Sequence, residues 1–537
     1  MPGASVWTRP TRPGVSVGDI EGTHSTDPPR GTRVRIHWPS WLIAMSGLSC
    51  ASPEKRGGGS SSPGDWDLGV FLQAEPYEEG DPEQGWTTLL HDGYMSCGVP
   101  WKLWEHELAG VAAEASLVGD AVTTTLPGRT GRNADLPHML NAFTTSEGVD
   151  VVNLNCLQCH AGHFDGELVL GLGNATADFT GGTEEGGGAT FTDELLAALG
   201  LNEAEIAEFQ KLISRGTAIL PATRMRTIGH NPAEMLAVTL MLHHDRDTLA
   251  WSDEPLIDAV IVDHDGVPIL DPIVTSDPPP WWRVHKKNAL FYNGMARGDH
   301  RGTMMLATSV CVDTLEEAKR VDRFFVDIQA YLRTLRAPAY PFEVEEDLAA
   351  EGAPVFAEHC AGCHGSYSAV ESEETYPNLL IPLNVVGTDP VVANAGVIHA
   401  PDLVDWYNDS FYGTITRFEP VDLESGVVGY MPPPLDGIWA TAPFLHNGSI
   451  PTIAQLLDST TRPDAWRRQS YESADFDEAA LGWPHTVVDT PQSEASEEDQ
   501  PHIYDTRHWS QSSAGHTYGD VLTDSEREAL LEYLKTL

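Results

Sequence analysis

Positive charge is what this 537-residue sequence has least of. Lysine and arginine total 32 against 79 aspartates and glutamates, so the formal net charge at pH 7 is −47. Such a chain repels the phosphate backbone of nucleic acids, which excludes a nucleic-acid-binding function. It repels anionic membrane surfaces for the same reason. The surplus of carboxylates attracts cations or a basic redox partner protein, although it also keeps a protein soluble in a salty medium.

Long apolar runs are also missing. No stretch of about 20 apolar residues exists, so we predict no ordinary membrane span. Residues 1–64 instead look like an export signal and a flexible linker, because basic residues precede a short apolar stretch at 41–48 and Cys50 precedes a Gly/Ser run. Cys50 is the candidate for lipidation, although Gly47 stands where lipoprotein signals usually have leucine. We therefore predict export, to the periplasm, the outer membrane as a lipoprotein, or the medium, and leave the lipid anchor open.

Cysteine is scarce, and four of the seven cysteines lie in two motifs of one form. The motifs are Cys156-Leu157-Gln158-Cys159-His160 and Cys360-Ala361-Gly362-Cys363-His364. C-x-x-C-H is the attachment signature of a c-type haem, in which two thiols form thioethers with the porphyrin and the histidine binds the iron. The sequence predicts two covalently bound haems c, with His160 and His364 as axial iron ligands. Since cytochromes with this motif mature outside the cytoplasm, the motifs also favour export.

Zinc sites and redox dithiols are the rival interpretations of these cysteines. Paired zinc motifs usually lie within about 20 residues of each other, whereas these two begin 204 positions apart (360 minus 156). Neither a zinc site nor a thioredoxin-like dithiol needs a histidine directly after each pair. Outside the motifs, Cys97 and Cys311 either pair as a disulfide in an oxidising compartment or stay as two unpaired buried thiols.

A repeat suggests how the chain is organised. Residues 330–335, Ala-Tyr-Leu-Arg-Thr-Leu, resemble residues 532–537, Glu-Tyr-Leu-Lys-Thr-Leu, and each hexapeptide closes a stretch with helix-like character, at 315–335 and 524–537. From the first haem cysteine to the final leucine the distances are 179 (335 minus 156) and 177 (537 minus 360). We therefore predict a mainly α fold of two tandem cytochrome c-type domains, with long loops and little regular β structure.

The predicted boundaries follow from this repeat. Residues 65–150 form an N-terminal extension packed on the first haem domain. Residues 151–340 form the first cytochrome c-type domain, which carries the catalytic haem. Residues 341–537 form the second, which carries the electron-transfer haem, and a proline-rich break at 337–341 separates the two.

The second iron ligand decides what each haem does, because an iron with two protein ligands transfers electrons and one with a vacant side binds oxygen or peroxide. His516 lies seven residues before a helix start near Thr523 (523 minus 516), where class I cytochromes c place their distal ligand. His446 and Met431 are the alternatives for the second haem.

The same offset in the first unit gives Thr314 (335 minus 21), which is not an ordinary iron ligand. We therefore predict an open distal side, and the catalytic role, for the His160 haem. Met304, Met305 and His300 lie close enough upstream to be alternative ligands.

At this point the sequence resembles a known group, the di-haem cytochrome c peroxidase superfamily, and within it the branch of haem-dependent rubber oxygenases. The resemblance covers residues 65–537. The matching stretches are Asn155-Cys156-Leu157-Gln158-Cys159-His160-Ala161-Gly162, Leu170-Gly171-Leu172-Gly173-Asn174, Trp281-Trp282-Arg283, Lys286-Lys287-Asn288-Ala289-Leu290-Phe291-Tyr292-Asn293-Gly294 and, most specifically, Met431-Pro432-Pro433-Pro434-Leu435-Asp436-Gly437-Ile438-Trp439-Ala440-Thr441-Ala442-Pro443-Phe444-Leu445-His446-Asn447-Gly448-Ser449.

The resemblance implies a five-coordinate N-terminal haem, a six-coordinate C-terminal haem and a tryptophan that carries electrons between them. Trp282 is the candidate for this inter-haem bridge, with Trp281 as the alternative. The family also implies an apolar or aromatic side chain over the active haem, for which Phe291 is a candidate.

The sequence thus leads us to expect an exported di-haem c-type cytochrome that acts as an oxidoreductase. Peroxide or O₂ reacts at the first haem, and the second relays electrons. One alternative is a rubber-oxygenase-like dioxygenase that cleaves an apolar polymer or alkene, and another is a non-catalytic di-haem electron carrier.

Overall fold

The structure is a computed structural model that describes residues 68–105, 124–181, 191–257, 261–263, 265–269 and 272–537. The chain divides into two compact units, residues 1–59 and 60–537, and everything described lies in the second. The predicted export signal and Cys50 therefore lie outside the described residues. Within the described ranges, no helix combines the length and apolar character needed to cross a membrane.

The longest elements in the described part of the chain are helices. They are α1 Pro82–His91, α2 Trp101–Leu103, α3 Leu157–His160, α4 Asp193–Ala198, α5 Glu203–Ile219, α6 Ala233–His243, α7 Arg301–Met304, α8 Leu315–Leu332, α9 Glu346–His359, α10 Ala361–His364, α11 Leu383–Val386, α12 Pro401–Asp409, α13 Ile453–Leu457 and α14 Asp524–Lys535. α5 and α14 both begin with capping boxes. The side chain of Asn202 or Thr523 accepts a backbone N–H of the first turn, and a glutamate side chain in that turn accepts the backbone N–H of the capping residue. These local signals explain why the long helices are predictable from the sequence.

Strands are short but numerous. They are β1 Val70–Phe71, β2 Val99–Pro100, β3 Leu140–Thr144, β4 Asp150–Leu154, β5 Ala161–Phe164, β6 Glu167–Leu170, β7 Ala296–Gly298, β8 Leu379–Pro382, β9 Thr416–Phe418, β10 Gly429–Tyr430, β11 Ala465–Arg468, β12 His485–Val487 and β13 Ile503–Asp505. In the described residues they form five antiparallel sheets with the orders β1-β8-β10, β12-β11-β13, β2-β4-β3, β5-β6 and β7-β9.

The prediction of a mainly α fold of two tandem cytochrome c-type domains with little regular β structure is therefore wrong, because the architecture is mixed α/β with several small sheets. Several pairings join distant parts of the chain, as when Val70 of β1 pairs with Leu380 of β8. Strands of two to five residues are too short to show an alternating apolar pattern, so the local sequence does not predict them.

Two helix pairs share one packing geometry. α1 packs along α8, and α9 packs along α14. A Cβ added to Gly85 of α1 would lie 2.0 Å from the carbonyl oxygen of Asp327 in α8, and one added to Gly352 of α9 would lie 2.0 Å from that of Ala529 in α14. Each pair therefore crosses at a glycine that lets the two backbones approach closely.

The tyrosines of the repeated hexapeptides lie at these crossings. The Cβ atoms of Tyr331 and Tyr533 each lie 2.9 Å from the Cβ that the facing glycine would carry. The repeat at 330–335 and 532–537 thus marks equivalent places in two helix pairs. The first pair includes α1, which lies within the region predicted to be an N-terminal extension, while the predicted domain boundaries stay predictions.

A second repeat escaped the sequence analysis. Residues 277–296, here called the first proline loop, correspond to residues 431–450, the second proline loop, at a constant shift of 154 (431 minus 277). Both loops begin with three prolines at their second to fourth positions and carry Asn-Gly near the end. Phe291 and Leu445 correspond, and both have a positive φ, of 64° and 66°.

The two proline loops bind each other reciprocally. The backbone N–H of Asp277 donates to the carbonyl of His446 at 2.9 Å, and that of Met431 donates to the carbonyl of Tyr292 at 2.7 Å. The two donors occupy corresponding positions of the two loops (277 and 431), and so do the two acceptors (292 and 446). This exchange is what a local two-fold relation between the loops produces.

Two apolar cores lie beside the loops. The first lies between α1 and α8 and extends to α12, and the second lies between α9 and α14. Trp281 belongs to the first core and Trp282 to the second, although the two are neighbours in the sequence.

Cys97 and Cys311 form a disulfide with a Cα–Cα distance of 5.2 Å, which connects the segment before β2 to the turn before α8.

Candidate functional site

The second C-x-x-C-H motif follows directly on α9, so that Cys360 is the C-cap of that helix and His364 ends α10. Nδ1 of His364 lies 2.8 Å from the carbonyl oxygen of Pro433 in the second proline loop. A carbonyl only accepts, so Nδ1 carries the proton and donates it. Nε2 is then left with its lone pair free, as a metal-binding histidine requires.

His516 faces His364. Their ring centres lie 6.2 Å apart with the ring planes at 60°. When two imidazoles bind one metal ion, each ring centre lies about 2.0 Å (the metal–nitrogen bond) plus about 1.1 Å (nitrogen to ring centre) from the metal. The two ring centres are then about 6.2 Å apart. The spacing of the two rings therefore fits one metal ion held between two histidines.

A large apolar cavity contains this pair. Its wall includes Cys360, Cys363, His364 and His516. The volume of the cavity, counted as the space open to the centres of water molecules, is about 190 Å³. Counted in the same way, a single water molecule needs only about 10–15 Å³. Two thiols, two facing imidazoles and a mostly apolar wall are the donor set and surroundings of a covalently attached haem.

The loop that carries His516 is held by one arginine. The guanidinium of Arg462 donates to the carbonyls of Ser513, Gly515 and His516 at 2.9, 2.7 and 2.9 Å. The N–H of His516 donates to the carbonyl of Val386 at 2.8 Å. His516 adopts a left-handed conformation, with φ of 46°, and these bonds to its backbone hold it there.

His446 and Met431 line the same cavity. The ring of His446 stacks on that of Tyr430, with centres 4.3 Å apart, and its Nε2 lies 3.1 Å from the Tyr430 hydroxyl. The structure thus brings His516 opposite His364 and engages His446 with a tyrosine.

The first C-x-x-C-H motif has the same anchor. Nδ1 of His160, at the end of α3, lies 3.2 Å from the carbonyl oxygen of Pro279 in the first proline loop. Pro279 corresponds to Pro433 at the shift of 154 (279 to 433). The middle proline of each loop therefore orients the histidine of one motif, and this equivalence was missed from the sequence although the Pro-Pro-Pro runs are visible in it.

The surroundings of His160 differ from those of His364. Its ring stacks on Trp281, with centres 4.9 Å apart and planes at 25°. No imidazole among the described residues makes a ring contact with it. Thr314 caps α8 by accepting the N–H of Glu317 at 3.2 Å, and this role explains the residue at that position.

The other candidates for the first site lie as follows. Met305 is fully buried in the first core, and Met304 packs against that core together with Cys156 and Phe291. His300 is buried, and desolvation lowers its pKa to about 4.

Trp282 connects the two proline loops. Its side chain is fully buried, and its indole N–H donates to the carbonyl of Asp436 at 2.8 Å. A Cβ on Gly437, next to Asp436, would lie 3.0 Å from the indole ring. Trp281 contacts His160 while Trp282 packs against the second loop, so the pair spans the space between the two motifs.

Three of the four motif thiols have raised pKa values, unlike the thiols of a redox dithiol. Burial raises the pKa of the Cys156 thiol to about 11 and those of Cys159 and Cys360 to about 12, whereas reactive dithiols have lowered pKa values. In the part of the chain that is described, no group of three or more histidine, cysteine or acidic side chains is placed to hold a metal ion.

Comparison with known proteins gives partial support to the resemblance. Residues 429–467, which include the whole of the second proline loop, match a family model described as RoxA-like, cytochrome c-like. Membership of such a family implies covalently bound haem c. The match lies outside both C-x-x-C-H motifs, so by itself it supports a cytochrome c relationship and leaves the number of haems open.

Two proteins of Sinorhizobium fredii (strain NBRC 101917 / NGR234) are similar to this chain. "Uncharacterized protein y4iJ" is 29% identical over a match of 260 residues, and the match covers 38% of this chain and 41% of that protein. "Uncharacterized protein y4iM" is 26% identical over a match of 320 residues, and the match covers 52% of this chain and 68% of that protein. The chain thus spans about two fifths of the first of these relatives.

Proposed function

We propose that the protein is a di-haem c oxidoreductase with two unequal haems. One haem is attached at Cys156 and Cys159 with His160 as its iron ligand. The other is attached at Cys360 and Cys363 with His364 and His516 as its ligands. The observation that carries the proposal is the inequality of the two histidines, since His364 faces a second imidazole at 6.2 Å and His160 has none in contact among the described residues.

The chain's own residues prepare both sites. When bound, haem c supplies an iron that exchanges electrons and, on an open side, binds an oxidant. The carbonyls of Pro279 and Pro433 fix the tautomer and direction of His160 and His364. Arg462 holds the backbone of His516 in position.

The tryptophan pair offers the route for electrons between the sites. Trp281 stacks on His160, and Trp282 reaches the loop whose Pro433 holds His364. Both indoles are buried, which keeps water away from the path. Trp282 is the proposed bridge, and Trp281 is the contact that brings the first site into reach.

The oxidant is peroxide or O₂ at the first haem. The RoxA-like match at 429–467 favours the oxygenase form, which acts on an apolar polymer or alkene. Phe291 is the proposed aromatic side chain at that site, since it and Cys156 both pack against the first core. Export and a basic redox partner complete the proposal, the partner because of the net charge of −47, and Cys50 stays the candidate for lipidation.

Haem content tests the two-site arrangement. We expect two haems per chain in the wild-type protein and one in each of two matched variants, Cys156→Ala/Cys159→Ala and Cys360→Ala/Cys363→Ala. The first variant loses reactivity with oxidants, and the second keeps an open haem. Full haem content in either variant contradicts the proposal.

Turnover tests the reaction. Half-reduced protein is mixed with hydrogen peroxide and an electron donor, and separately with polyisoprene and O₂ followed by analysis for carbonyl products. Turnover in one assay and not in the other identifies the oxidant. If neither assay shows turnover and no external ligand shifts the Soret band, the protein is an electron carrier and the catalytic proposal is wrong.

A further inference from the structure

Arg283 lies in an unusual place for a charged side chain. It follows the tryptophan pair in the first proline loop, is 6% exposed, and lines the apolar cavity that contains His364 and His516. Its position in the second loop is occupied by Gly437 (283 to 437), so the arginine is a feature of one loop only.

The guanidinium is only partly satisfied. Its Nε donates to the carbonyl of Asp436 at 3.1 Å. Its Nη2 is buried and has no hydrogen-bond partner among the described residues. Within the same set of residues, no carboxylate forms an ion pair with it, although the chain has 79 acidic side chains.

The nearest carboxyl groups are otherwise engaged. The carboxylate of Asp436 is paired with Lys286, with Oδ1 and Nζ 2.6 Å apart, and Lys286 also binds Glu374 at 2.7 Å. Asp277 lies in the cavity wall, but burial raises the pKa of its carboxyl well above the ordinary value. Its Oδ2 accepts a hydrogen bond from the Tyr292 hydroxyl at 3.3 Å, and within the described residues it forms no ion pair with Arg283.

An unpaired cation in an apolar cavity is costly. Desolvation lowers the pKa of Arg283, but a guanidinium remains protonated in proteins, so its charge has to be met by an anion or by water. Removing a charge from water without a partner is energetically unfavourable. Arg283 is thus placed to bind an anionic group that belongs to the ligand of this cavity.

We propose that Arg283 binds a carboxylate of the haem held between His364 and His516, one of the two propionate side chains of that porphyrin. The inference rests on the proposed function, since it needs a haem in this cavity. Two parallel N–H donors of a guanidinium match the two oxygens of a carboxylate. Arg283 is then a positioning residue, which orients the porphyrin and raises the reduction potential of its iron by its positive charge.

Two variants and one control test the proposal. Arg283→Gln removes the charge, and Arg283→Lys keeps it but removes the two-pronged geometry. Arg336→Gln changes the net charge equally at an exposed arginine that pairs with Glu371 outside the cavity. Each protein is examined for haem content, for the reduction potential of the six-coordinate haem and for the propionate bending band in its resonance Raman spectrum.

We expect Arg283→Gln to lower the reduction potential of that haem and to shift the propionate band, Arg283→Lys to restore the potential but not the band, and Arg336→Gln to alter neither. If the glutamine variant does not fold, an unshifted band in the lysine variant overturns the proposal. Two bound haems with unchanged potential and band also overturn it and leave the proposed function standing. Absence of haem from the wild-type protein overturns both.

Discussion

The indole N–H of Trp282 donates to the carbonyl of Asp436, and these two residues occupy corresponding positions in the two proline loops (282 to 436). The loops therefore meet at corresponding positions here, and they also exchange two reciprocal bonds, one between Asp277 and His446 and one between Met431 and Tyr292. Each loop holds the histidine of one C-x-x-C-H motif through its middle proline. The contact between the loops thus connects the two proposed haem sites directly.

Trp282→Phe should slow electron exchange between the two haems, because it removes both the indole and its bond to the second loop. The rate is measured by flash photolysis of carbon monoxide from the half-reduced protein. Trp439→Phe is the matched control, since Trp439 is 2% exposed and lies in the same apolar core. Equal rates in the Trp282 variant and the wild type would remove Trp282 from the route and leave Trp281.

His516→Ala should convert the second haem from low spin to high spin and open it to cyanide, because it removes the imidazole that faces His364. The ferric absorption spectrum reports the change. His446→Ala should leave the haem low-spin, since Nε2 of His446 contacts the Tyr430 hydroxyl. The reverse pattern would make His446 the ligand.

Gly352→Ala should destabilise the fold by about 1–3 kcal/mol, the usual cost of forcing atoms into a filled space. The added Cβ would lie 2.0 Å from the carbonyl oxygen of Ala529, so α9 and α14 have to separate. Urea denaturation of the holoprotein measures the loss. Gly216→Ala in α5 meets nothing within 4 Å and should stabilise by up to about 1 kcal/mol; equal effects at the two sites would contradict the packing described here.

Acid should weaken the fold through His138. Burial lowers the pKa of this histidine from 6.5 to about 4, and the charges of His163 and Arg129 act in the same direction. Between pH 6.5 and pH 4 the unfolded chain binds a proton that the folded one does not, so the free energy of unfolding falls as the pH falls, by up to about 3 kcal/mol. Urea denaturation of His138→Gln across this range should show a shallower dependence than the wild type, and parallel curves would be evidence against it.

Part of the fold and of the candidate site can be predicted from the sequence, and part cannot. The motif histidines, His516 and the helices at 203, 315 and 524 carry local signals, namely fixed spacing, capping residues and helical periodicity. The carbonyl of Pro279, the free Nη2 of Arg283 and the pairing of Val70 with Leu380 depend on contacts between distant segments. Such contacts leave no local pattern, although the shift of 154 between the proline loops was available from the sequence to a direct comparison of its tri-proline runs.

Electron paramagnetic resonance of the fully oxidised protein tests the central claim, that two haems c are present and only one is open. We predict one high-spin and one low-spin ferric signal in equal amounts, with cyanide converting the high-spin signal alone. Two low-spin signals, or a single haem per chain, would contradict the account.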